Sequence, residues 1–244
     1  MVQCIAHRGW SGRAPENTLA AFELAWNSPD VDGIELDVHL SRDNVPVVIH
    51  DQTVKRTTNG KKAVRDYTVN ELKTLDAGSW FNEQFAGQRI PTLEDVLRRM
   101  NRKKSLTIEL KQRRDIYPGL EEKIVRLLHK YEITGSTLVG SFDHTAVKKI
   151  KQMDASIQTG LIFMNRPVIP LEQMEEAGAE VMMLYHEMAG QGIVDMMLYN
   201  GYKVNVWTVN KQHAVERLRL LSQELIITTN HPGMVREKQK HKKK

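Results

Sequence analysis

Short apolar runs of β-favouring residues alternate along the chain with stretches whose apolar residues recur every three or four positions. The strand-like runs begin near Val2, Ile34, Leu106, Thr137, Ile157, Val181, Val204 and Leu225. Between them the helical signals are regular. Asn17 or Thr18 can cap a helix that buries Leu19, Phe22 and Trp26, Thr92 one that reaches about Met100, and Asp143 one that ends near Met153. A further helix is predicted over residues 120–131. Eight alternating β/α units in 244 residues predict a closed (β/α)₈ barrel, a fold of ~250 residues.

Two segments break the rhythm. Residues 31–40 read as a strand, Ser41-Arg42-Asp43-Asn44 as a turn, and residues 45–50 as a second apolar run. That turn is too short for a parallel crossover, so the second run is predicted to be an antiparallel arm. From residue 52 to about 88 the apolar period weakens. There Thr68 and Glu71 form a capping-box pair for a short helix, and Trp80, Phe81 and Phe85 stand in an irregular setting. This stretch is read as a small insertion that forms a lid or rim beside the site. Residues 1–235 are expected to form one domain.

Charge alters this picture only at the end of the chain. The formal net charge is +5, from 35 Lys/Arg and 30 Asp/Glu. Residues 236–244, REKQKHKKK, hold six of the basic residues and one of the acidic, so 35 less six and 30 less one leave 29 of each. The body is neutral and gives no reason to expect a nucleic-acid partner. The tail is expected to be disordered, and a chain ending at Val235 to keep its stability and activity. No apolar run approaches the ~20 residues of a membrane span, and MVQCIAHRGW has no signal-peptide pattern. With a single cysteine, Cys4, these features point to the cytoplasm.

The chemistry gathers where barrel enzymes keep it, at the C-terminal ends of strands. His7 and Arg8 end the first run, Glu35 and Asp37 lie late in the second, and Glu109 and Lys111 end the third. Glu35 and Asp37 are two residues apart, so both leave one face of a strand, while Leu36 and Val38 take the other. A buried carboxylate is costly unless it is paired or holds a cation. Glu35, Asp37 and Glu109 therefore describe a hard oxygen site for a divalent ion, Mg²⁺ or Ca²⁺. Arg8 and Lys111 add charge suited to an anion such as phosphate. His50, returned by the short turn, joins His7 as a candidate acid–base pair. A metal, two cations and two imidazoles together predict phosphodiester hydrolysis.

The sequence His7-Arg8-Gly9, Pro15-Glu16-Asn17-Thr18, Glu35-Leu36-Asp37-Val38, His50-Asp51, Arg56-Thr57-Thr58 and Glu109-Leu110-Lys111 resembles that of the glycerophosphodiester phosphodiesterase family. Residues 75–81 and Ile90-Pro91-Thr92-Leu93 look like that family's insertion and its exit. The resemblance spans residues 2–233. It implies a (β/α)₈ barrel that hydrolyses glycerophosphodiesters, such as glycerophosphocholine, to glycerol 3-phosphate and an alcohol. It further implies Glu35, Asp37 and Glu109 as metal ligands, His7 and His50 as the acid–base pair, and Arg8, Lys111 and Trp207 as substrate contacts. The chain departs from the family's pattern at Thr229-Asn230-His231-Pro232, where a Thr-Asp pair is common. Every matched site residue is present, so activity is expected to survive. Two rivals remain: lysophospholipase D-like action, with Trp80, Phe81 or Phe85 lining an apolar groove, and a catalytically silent binding protein that docks by its basic tail.

Overall fold

The computed structural model describes residues 2–236. Nine strands form one sheet: β1 Gln3–Ala6, β2 Gly33–Leu40, β3 Pro46–Val48, β4 Ser105–Leu110, β5 Thr137–Ser141, β6 Gln158–Phe163, β7 Val181–Tyr185, β8 Lys203–Trp207 and β9 Ile226–Thr229. All are parallel to their neighbours except β3. Pairing of β1 with both β9, at Cys4↔Ile227, and β2, at Ile5↔Gly33, closes the barrel. The fold is the (β/α)₈ barrel that the alternation predicts. Strand ends agree with the sequence reading to within about two residues, the usual uncertainty of fraying termini.

The second run after β2 is the predicted antiparallel arm, shortened to β3. It pairs with β2 at Val38↔Val48 and Leu40↔Pro46. The pairing lies beyond Gly33 and Ile34, the β2 residues that β1 meets, so the arm leaves the closure intact. Asn44, in the left-handed region at φ 59°, completes the turn, a conformation that asparagine tolerates better than most residues.

The helices pack outside, where the strands' outward side chains meet them. Ile34, Leu36 and Val38 join Phe22, Leu97, Ile124 and Ile150 in one buried cluster. Met182, Leu184, Val204 and Val206 join Val194, Met197 and Val215 in another. Thr18, rather than Asn17, caps Leu19–Trp26, its hydroxyl accepting from Ala21 N. Thr92 and Asp95 form a capping box at the start of Leu93–Arg99, and Asp143 caps His144–Met153.

The insertion after β3 has a core of its own. Val54, Val64, Leu72, Ala77 and Ile90 pack beneath Val47 and Ile49 of the arm. The predicted capping box at Thr68 and Glu71 opens a single helical turn, Val69–Leu72. Arg236 is not part of a free tail. It ends the helix Pro232–Arg236, donates to the carbonyls of Asp30 and Val2, and pairs with Asp32. Positions 237–244, the remainder of the expected tail, lie outside the described residues.

Candidate active site

Two residues per turn of pleat decide which side chains reach the barrel interior. On β2 the outward set is Ile34, Leu36 and Val38, which leaves Glu35, Asp37 and His39 facing in, all buried. Parallel pairing sets Asp37 opposite Glu109 on β4. One carboxylate oxygen from each of Glu35, Asp37 and Glu109 lies within 4.8 Å of the other two. This trio is a possible metal-binding cluster.

Cations and amides hold the trio. Lys111 Nζ stands 2.8 Å from Asp37 Oδ1 and 2.6 Å from Glu109 Oε1. Arg8 Nε lies 3.3 Å from Asp37 Oδ2, while the Arg8 backbone N–H donates to Glu35 Oε2 at 2.9 Å. That donation needs a sharp bend. Arg8 and Gly9 are both left-handed, at φ 55° and 76°, and a Cβ on Gly9 would meet the Ala21 carbonyl carbon at 2.6 Å. The His-Arg-Gly order thus has a steric reason.

The electrostatics show where charge is missing. Burial, together with Asp37 and Glu109 close by, pushes Glu35 well above the usual carboxylate range. Glu109 is pushed up to about 7 by burial and by Asp37, against the pull of Lys111. Burial works on Asp37 too, but Lys111 and Arg8 outweigh it and hold that group well below the usual range. Asp37 Oδ1 is buried without a well-directed hydrogen bond, despite the ammonium beside it. Three hard oxygen donors, two of them raised by burial and by neighbouring carboxylates, fit a divalent cation.

The two histidines have unlike partners. His7 Nδ1 meets Asn230 Oδ1 at 2.7 Å, and its Nε2 lies 3.9 Å from Glu35 Oε2. An amide oxygen only accepts, so Nδ1 carries the proton and Nε2 is bare. Burial and the nearby Arg8 push His7 down to about 3. His50 Nδ1 meets Asp51 Oδ1 at 2.7 Å. Burial lowers His50 as well, while Asp37 and Asp51 pull upward. Asp51 is itself clamped by Arg56 Nε at 2.8 Å, which with His50 keeps the carboxylate strongly acidic.

Arg56 carries this network across the barrel mouth. It donates to both oxygens of Glu16, which in turn accepts from Arg8 Nη1 at 2.8 Å. Asn17, left-handed at φ 57°, donates its Nδ2 to Asp37 Oδ2 at 2.8 Å. His39 supports His50 from below, its Nε2 bonding the His50 carbonyl at 2.9 Å and its Nδ1 the Tyr117 hydroxyl at 2.7 Å. Sequence reasoning assigned no site role to Glu16, Asn17, His39, Asp51 or Arg56, and read Asn17 only as a candidate cap. Glu16, Asn17, Asp51 and Arg56 lie within the motifs that carry the family resemblance, and His39 continues the two-residue spacing after Glu35 and Asp37.

An inner cavity of about 130 Å³ is lined by His7, Arg8, Glu35, His50, Glu109 and Lys111 on its polar side. Phe142, Ile162, Met164, Met183 and Trp207 line the other. The indole N–H of Trp207 is buried with no protein acceptor. The structure thus brings all eight predicted site residues to one barrel mouth. Trp80, Phe81 and Phe85 do not line it. They pack edge-on against each other, with centroids 5.7 Å apart in both pairs, outside that cavity's lining. The apolar wall comes from residues at the ends of β5 to β8 instead.

A model of the glycerophosphoryl diester phosphodiesterase family matches residues 7–234. The chain belongs to this family. It is 38% identical over 232 residues to the glycerophosphodiester phosphodiesterase of Caldanaerobacter subterraneus subsp. tengcongensis, with 95% of each chain covered. Among solved structures it is similar to an Oleispira antarctica phosphodiesterase in complex with its product sn-glycerol-3-phosphate. There the TM-score is 0.90 at 29% identity, covering 96% of this chain and 94% of that one. The glycerophosphodiester phosphodiesterase of Agrobacterium tumefaciens str. C58 has a TM-score of 0.82 at 26% identity, covering 96% and 99%. The protein is a phosphodiesterase of this family. Among the described residues no helix is long and apolar enough to cross a membrane.

Proposed function

We propose that the protein hydrolyses small glycerophosphodiesters, such as glycerophosphocholine or glycerophosphoethanolamine, to glycerol 3-phosphate and an alcohol. Glu35, Asp37 and Glu109 hold a divalent cation, Mg²⁺ or Ca²⁺, in this reading. When bound, the cation neutralises negative charge on the phosphoryl oxygens. The observation that carries the reading is the unlike pairing of two imidazoles on one cavity. His7 is backed by a neutral amide and His50 by a carboxylate, beside three carboxylates that call for a cation.

The chain's own groups then divide the work. Lys111 has three N–H donors; one goes to Glu109 and its charge stands beside Asp37, which leaves donor capacity for a phosphate oxygen. Arg8 offers the unused side of its guanidinium. The buried indole N–H of Trp207 suits a glycerol hydroxyl. His7 Nε2 takes the proton of the glycerol 2-hydroxyl, whose oxygen attacks phosphorus. His50 gives a proton to the departing alcohol as its bond to phosphorus breaks. Water then opens the cyclic phosphate with the two histidines in reversed roles. Asp51 stabilises the imidazolium form of His50, which suits it to be the acid in the first step.

The test is formation of glycerol 3-phosphate from each diester, with and without EDTA, followed by Mg²⁺ or Ca²⁺ readdition. Turnover that chelation abolishes and a cation restores supports the reading. Full turnover in exhaustively chelated protein, or none with any cation, overturns it. A second reading, hydrolysis of lysophospholipids, is favoured by the apolar wall, where Phe142 and Met164 are about half exposed. Release of choline from lysophosphatidylcholine tests it.

A further inference from the structure

Beyond the inner cavity lies a larger groove of about 810 Å³. The two share His50, Glu109, Lys111 and Phe142, whereas His7 lines only the inner one. On the reading above, His7 works on the glycerol hydroxyl and His50 on the departing alcohol. Glycerol therefore occupies the inner cavity, and the alcohol extends past His50 into the groove. What lines the groove then decides which alcohols are accepted.

Arg113 and Arg114, in the loop that follows β4, line the groove. Both are exposed, and among the described residues neither guanidinium has a hydrogen bond or ion pair. The carboxylates that line the groove are already engaged. Asp51 is held by Arg56 and His50, Glu109 by Lys111, and Asp143 accepts from the backbone N–H groups of Thr145 and Arg114. The loop that carries the arginines is itself pinned. Arg114 N donates to Asp143 Oδ2 at 3.1 Å, and Asp115 pairs with Lys149 at 2.5 Å. Two guanidinia without partners on a pinned loop are available donors for an anionic group, since guanidinium geometry matches carboxylate and phosphate. A quaternary ammonium would find no carboxylate in the groove without a cation or N–H partner already on it.

We propose that Arg113 and Arg114 make this enzyme prefer diesters whose alcohol carries an anionic group, a carboxylate or a phosphate. The inference rests on the phosphodiesterase reading and on the placement of the alcohol in the outer groove. Glycerophosphoserine and glycerophosphoethanolamine form the decisive pair, because they differ by one carboxylate.

The experiment compares kcat/KM for these two diesters in the metal-loaded full chain and in an R113A/R114A double variant. Glycerophosphoethanolamine serves as internal reference. The wild type is expected to favour the serine diester by about tenfold, the scale of one partly exposed charged hydrogen bond. In R113A/R114A the ratio falls to near one, whereas R113K/R114K keeps part of it. The preference weakens as salt rises from 0.05 to 0.5 M by roughly the screening expected of exposed charges. A diester whose alcohol bears a phosphate, tested in the same way, shows whether either anion suffices. A wild-type ratio near one, or a ratio that R113A/R114A leaves unmoved, overturns the inference while the phosphodiesterase reading stands. Absence of turnover for every diester with metal supplied overturns that reading, and the inference falls with it.

Discussion

Stripped of divalent cations, the protein is expected to lose the contribution of Glu109 to its stability as pH rises. That group sits at about 7 in the fold against an ordinary 4.5, chiefly because it is buried and stands beside Asp37. Between those values the folded chain binds the proton more tightly than the unfolded chain does. Stability from this group is therefore full below about pH 4.5 and declines until pH passes 7. At 1.36 kcal/mol per pH unit the loss is about 3 kcal/mol. His7 and His39 run the other way, because burial lowers them to about 3 and about 4. Their contribution grows as pH rises to about 6.5, so wild-type stability alone would not isolate Glu109. Glu109→Gln tests it, since glutamine keeps the shape and has no proton to lose; the substitution also relieves Glu35 of a neighbouring charge, which acts in the same direction. Urea unfolding of EDTA-treated wild type and variant at pH 5 and pH 8 gives the comparison. The variant is expected to gain about 3 kcal/mol on the wild type between the two pH values. Saturating Mg²⁺ or Ca²⁺ is expected to stabilise the wild type more at pH 8 than at pH 5, because at the lower pH it must displace protons. If the gap between the two proteins is the same at both pH values, Glu109 does not carry uncompensated charge and the cation argument fails with it.

His7→Ala and His50→Ala are each expected to cost roughly 10²- to 10⁴-fold in kcat on glycerophosphocholine. A nitrophenyl diester, whose leaving group needs no acid, rescues His50→Ala but not His7→Ala; the opposite pattern in steady-state rates would reverse the assignment. Asp51→Asn keeps an acceptor for His50 Nδ1 but removes the charge that favours imidazolium, so the alkaline limb of the kcat–pH profile moves to lower pH, and an unmoved limb argues against the role. A chain ending at Arg236 keeps its turnover on soluble diesters and its urea midpoint. Removing Arg236 as well costs about 1 to 2 kcal/mol, because its bonds to Asp30, Val2 and Asp32 are lost; equal midpoints for the two lengths would discount that anchor.

The barrel and the carboxylates of the site were legible in the sequence for one reason: a strand has a period of two. Acidic residues at 35, 37 and 109, flanked by apolar ones, announce charge on a buried strand before any contact is known. What the period cannot supply is distance between segments far apart in sequence. Glu16 meets Arg56 across forty positions, and nothing in either residue's neighbours indicates it. The choice between Asn17 and Thr18 as cap was open by one residue, and the outcome frees Asn17 to bond Asp37. The aromatics misled for a related reason. Trp80, Phe81 and Phe85 stand out in an irregular stretch, whereas Phe142 and Met164 each sit one residue past a strand and read as ordinary strand ends. Asn230 is the most instructive case. From sequence it is a lost carboxylate; in the fold it is the acceptor that fixes the His7 ring. An amide preserves that hydrogen bond but adds no negative charge to steady an imidazolium. The carboxylate of Asp51 does both for His50. In the proposed mechanism one ring must start neutral and the other protonated, so a neutral acceptor behind His7 is compatible with activity, and it sharpens the difference between the two rings on which the division of labour depends.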